Sequence, residues 1–86
     1  MADSGNWLIP REAFIIKLRE LGYSFKRQAD RVDLWRRSSD QHRVVVPRRD
    51  LLDPATVTFS LRQSGVSEEE IAEFIGEVRV SSSRKK

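Results

Sequence analysis

Between Gly22 and Pro47 three β-patterned runs follow one another with only a few turn residues separating them. Tyr23 to Arg27 is the first, with Tyr23 and Phe25 sharing a face. Arg31 to Arg36 is the second, in which Val32 and Leu34 alternate with Asp33 and Trp35. Ser38-Ser39-Asp40-Gln41 is turn material, and His42 to Val46 makes a third run rich in β-branched residues, ended by Pro47. Parallel neighbours require long crossovers, so connections this short predict an antiparallel meander.

Helical patterns flank the meander. Pro10 suits a first helical turn, Phe14, Ile15, Leu18 and Leu21 recur at helical spacing, and Gly22 caps the end. Trp7, Leu8 and Ile9 are expected to fold back over that helix. Asp53-Pro54 starts a second helix carrying Val57, Phe59 and Leu61, closed by Gly65. Ser67 and Glu70 have capping-box spacing, and Ile71, Phe74, Ile75 and Val78 form an apolar stripe on a third. The expected fold is α+β, in the order α-β-β-β-α-α, with a three-stranded antiparallel sheet packed on helices on one face. At 86 residues the chain allows one small domain: an N-terminal segment 1–9, a core domain 10–79 and a disordered basic tail 80–86.

Charge is segregated along the chain. Residues 26–49 hold eight Lys or Arg against three Asp, a surplus of +5, whereas residues 50–79 hold two against seven, a balance of −5. This suggests a basic face for an anionic partner, set against the plainer reading of solvated surface. The absence of cysteine excludes disulfides, thiolate catalysis and Cys-based metal sites. No apolar run reaches the roughly 20 residues of a membrane span, and residues 1–6 lack the pattern of a secretory signal, so a cytoplasmic protein is expected.

His42 is the sole histidine, so a metal site is not expected. Asp30 and Asp33 balance neighbouring arginines better than they serve acid–base chemistry. The glycines are too scattered for a phosphate loop, and no cofactor is implied. Binding residues are easier to name. Lys26, Arg27, Arg31, Arg36, Arg37, Arg43, Arg48 and Arg49 all fall on the sheet or its loops, and an Arg fork can hold phosphate or carboxylate. Trp35, opposite in parity to Val32 and Leu34, would stand among them as a base-stacking platform, or pack under the N-terminal segment or against a protein partner.

Lys17-Leu18-Arg19-Glu20-Leu21-Gly22-Tyr23, then Arg27-Gln28, Val44-Val45-Val46-Pro47 and Leu61-Arg62-Gln63-Ser64-Gly65-Val66-Ser67, in this order, resemble the HicA (YcfA-like) toxins. The resemblance covers roughly residues 11–78. It implies a fold related to double-stranded-RNA-binding domains and a place in a bacterial toxin–antitoxin pair, where family members cleave mRNA. The family follows its Arg-Gln with Gly-Ser-His, whose His is catalytic; here Asp30, Arg31 and Val32 stand there. Valine cannot transfer a proton. The resemblance therefore implies RNA binding or binding of a HicB-like antitoxin or other acidic protein, without ribonuclease activity. Alternatives are an active interferase using His42 or another group, and a pure protein-interaction module.

Overall fold

The computed structural model describes residues 7–81. In chain order these form β1 (Trp7–Pro10), α1 (Arg11–Glu20), β2 (Tyr23–Ala29), β3 (Val32–Arg37), β4 (Arg43–Pro47), β5 (Leu51–Leu52), α2 (Pro54–Gln63), α3 (Glu68–Val78) and β6 (Val80–Ser81). The fold is α+β, with the expected antiparallel three-stranded sheet β2-β3-β4 and three helices among the described residues. The elements gather into two compact units, one of Arg11–Asp50 and one of the chain on either side of it.

In the Arg11–Asp50 unit, Gly22 leaves α1 at φ 97, a left-handed conformation that lets the chain turn at once into β2. Ala29 pairs with Val32, so Asp30 and Arg31 alone make the β2–β3 turn, and Arg31 sits at φ 63. A side chain in that region costs about 1–2 kcal/mol, part of which glycine returns as unfolded-state entropy. Arg31→Gly is therefore expected to raise unfolding stability by up to about 1 kcal/mol, and Arg31→Ala to give no such gain, by urea denaturation.

The sheet turns its faces opposite to the expected sense. Trp35 is 4% exposed, and Asp33, Val44, Val46 and Tyr23 are buried with it, whereas Val32 and Leu34 are half-buried. The register decides this: Trp35 is paired with Val44 and Asp33 with Val46, so one face gathers the indole and two valines. That outweighs the apolar area of Val32 and Leu34. It requires burying Asp33, whose carboxylate meets Arg11 Nη2 at 2.5 Å and Arg48 Nε at 3.5 Å. α1 lies on this face, with Arg11 on Asp33, Arg19 over the Trp35 ring, and Phe14 and Leu18 buried.

The second unit is built around β1, central in the sheet β5-β1-β6. Ile9 pairs with Leu52 and Leu8 with Val80, both antiparallel. Trp7–Pro10 is thus a strand, and Pro10 ends β1 instead of opening the helix. Val80 and Ser81 likewise pair as β6, correcting the tail expected over 80–86; residues 82–86 lie outside the described residues. Strands of two residues have no period to read, so their partners alone define them.

Asp53 takes the N-cap position of α2 in extended conformation, though its side chain makes no cap bond. Ser67 does: its Oγ accepts the Glu70 N–H at 3.1 Å. Val57, Leu61, Ile71 and Phe74 are buried. Phe59, expected to add core bulk, is 61% exposed, because two residues from Val57 it lies nearly opposite on the helix.

Candidate binding face

Opposed residues in an antiparallel ladder share a face, so the register assigns each cation a side. On the face away from α1, Ser24, Arg36 and Arg43 form one row. Arg27, Leu34 and Val45 form the next, and Ala29, Val32 and Pro47 the last. Val45 is 47% exposed. Arg36 and Arg43 stand directly opposite each other, and no acidic residue shares these rows. Like charges so placed destabilise a sheet. Arg36 is steadied by Gln41, whose Oε1 accepts its Nη1 at 3.0 Å. Leu34 and Val45 put an apolar strip beside this pair.

The other expected site residues divide into separate roles. Trp35 is inside the unit and offers no stacking surface, correcting the expectation that it faces outward. The ring neighbours are Phe25, T-shaped at 6.0 Å between centroids, and the Arg19 guanidinium at 5.6 Å. Arg48 is structural, holding Asp33 and donating through Nη2 to the Ala29 carbonyl at 2.8 Å. Arg31 occupies the strained turn, Lys26 the register shift between Phe25 and Arg27, and Arg49 the bend after β4. Only Arg27, Arg36 and Arg43 of the named cations lie in the rows of the open face.

Arg37 lies on the other face, opposite Tyr23, with its guanidinium 5.0 Å from that ring. Its fork grips Asp40, Nε and Nη2 donating at 3.0 and 2.7 Å to the two carboxylate oxygens. Arg37, and after it the His42 backbone N–H, hold the Asp40 carboxyl at about 2, so it remains ionised at ordinary pH. His42 is half-buried, and its Nδ1 is hydrogen-bonded to the Tyr23 hydroxyl at 2.5 Å. This cluster was not foreseen. Tyr23 and Arg37 meet through the meander register, and Arg37 and His42 through the turn, where the Arg37 N–H donates to the His42 carbonyl at 2.9 Å.

No protein-family model matches this chain, and no curated protein matches it.

Chemically, the open face can hold anions, since Arg43 and Arg27 make no ion pair with a described residue. The Tyr23–His42 cluster is a poorer candidate for catalysis, because Asp40 already neutralises the guanidinium beside it. Among the described residues, no group of three or more His, Asp or Glu could hold a metal ion. No helix among them is long and apolar enough to cross a membrane.

Proposed function

We propose that this chain is a HicA-like binding domain, without the family's ribonuclease activity, that takes an acidic protein partner on the open face of β2-β3-β4. The observation that carries this reading is the Arg36–Arg43 pair, set cross-strand with no carboxylate in its rows. An acidic group between the two arginines would relieve their repulsion and gain charge-assisted hydrogen bonds. Leu34 and Val45 favour protein over RNA, because this face supplies aliphatic contact and no aromatic ring for a base. The resemblance to a toxin–antitoxin family makes an antitoxin-like protein the partner in view, and Val32 in place of the catalytic His argues against cleavage.

The test compares a fluorescent acidic peptide of alternating Glu and Val with a short single-stranded RNA, by anisotropy at two salt concentrations. The peptide is expected to bind, and Arg36→Glu with Arg43→Glu to abolish binding in a protein that remains folded. Tighter RNA binding, with a log–log salt slope of about −0.7 per phosphate and the same sensitivity to the double variant, would replace the protein reading by an RNA one. Cleavage of mRNA that disappears in His42→Ala would overturn the non-catalytic reading.

A further inference from the structure

The backbone of β4 adds a second property to this face. The Arg37 N–H donates to the His42 carbonyl at 2.9 Å, and the Arg48 N–H to the Arg31 carbonyl at 3.2 Å. Bonded pairs alternate with non-bonded pairs in an antiparallel ladder. Trp35 with Val44 and Asp33 with Val46, which lie between those two bonded pairs, are therefore bonded as well. Arg43, Val45 and Pro47 consequently turn their backbone groups away from β3. The sheet order ends at β4, so no described strand meets them there.

Pro47 has no N–H, and its carbonyl accepts Arg11 Nε at 3.0 Å. What is left is a short window, the N–H and C=O of Arg43 and Val45. The opposite edge, β2, is interrupted by a register shift at Lys26 and carries Lys26 and Arg27, devices that discourage pairing. β4 has no such break, and Val44, Val45 and Val46 are all β-branched.

We infer that β4 is a strand-addition site, on which an extended acidic segment of the partner pairs with Arg43–Val45 as a fourth strand. Main-chain bonds to Arg43 and Val45 would fix its register. Carboxylates at alternate positions would share the open face with Arg43 and lie within reach of Arg36, while the intervening aliphatic side chains would fall on the other face, the side of Val44 and Val46. Charge selects this occupant over a second copy of the chain: two β4 edges side by side would gather Arg36 and Arg43 of one molecule beside those of the other. The inference rests on the acidic-partner reading and specifies how that partner is held.

The probe is the same Glu/Val peptide, titrated into isotope-labelled protein and followed by amide NMR and hydrogen exchange. The Arg43 and Val45 amides should shift and gain protection. Val45→Pro removes an outward N–H but no ladder bond. It should weaken peptide binding by about tenfold or more, as losing a main-chain bond and stranding its partner predicts. Should Val45→Pro disturb the fold, peptides N-methylated on one edge or the other replace it; one edge should bind as before and the other about tenfold more weakly. Unchanged binding in Val45→Pro, or equal binding of both methylated peptides, overturns strand addition. If Arg36→Glu with Arg43→Glu still abolishes binding in that case, the acidic-partner reading stands alone; if it does not, both fall. Protection of the same amides by protein concentration alone would identify a second copy as occupant and overturn the inference.

Discussion

Trp35→Ala is expected to destabilise the protein by about 3–5 kcal/mol, the cost of emptying a large buried aromatic site. The indole is 4% exposed, and Phe25 and Arg19 close on its ring. Its Nε1 is buried without a hydrogen-bond partner among the described residues, a state that costs about 1–3 kcal/mol relative to a bonded donor. Trp35→Phe removes that donor while keeping an aromatic ring in the site. Cavity and relief then oppose each other, and the net loss should be no more than about 1–2 kcal/mol. Urea unfolding followed by far-ultraviolet circular dichroism measures both without relying on tryptophan fluorescence, to which Trp7 also contributes. Wild-type stability in Trp35→Ala would mean that the residue is not core, and the outward stacking platform would have to be reconsidered.

The second large effect is expected at the neutralised carboxylate beneath α1. The Asp33 side chain is 12% exposed, and Arg11 gives it a 2.5 Å bond while also tying the Pro47 carbonyl to the helix. Breaking a fully buried pair costs about 3–5 kcal/mol, chiefly by leaving a charge uncompensated. Arg11 is 26% exposed and Arg48 remains at 3.5 Å, so Arg11→Met should cost less, about 2–3 kcal/mol. Adding Asp33→Leu removes the stranded charge, so the double variant should be more stable than Arg11→Met alone. A double-mutant cycle by chemical denaturation reads this directly. A double variant no better than the single one would show that the pair acts through packing and not through charge.

Both expectations concern the feature least legible in the sequence, the sense of the β2-β3-β4 sheet. The strands could be read from turn spacing and β-branched runs, and Gly22, Gly65 and Ser67 marked helix ends correctly. The inward face could not, because each parity of β3 offers apolar side chains: Val32 and Leu34 on one, Trp35 on the other. Asp33 shares the Trp35 parity, and burying a carboxylate is costly unless it is paired. What reversed the expected sense was Arg11, distant in sequence and placed by α1, whose guanidinium makes a buried carboxylate tolerable. The same reversal reshaped the candidate site. Counting cations by segment identified a basic stretch, but only register could separate Arg27, Arg36 and Arg43 on the open face from Arg37 and Arg48, which hold Asp40 and Asp33. β1, β5 and β6 were invisible for another reason, since their stability comes from partners far away along the chain.

That nesting of one unit inside the sequence of the other sets an order of events during synthesis. β1 emerges first, yet its neighbour β5 follows only after the whole of Arg11–Asp50, and β6 comes last of all. The strands of the inner unit pair with close neighbours and can meet as soon as they are made, while β1 must wait with both edges bare. Among the described strands, the apolar run Trp7-Leu8-Ile9 therefore waits longest for its partners, and is the one most in need of protection from stray pairing during synthesis.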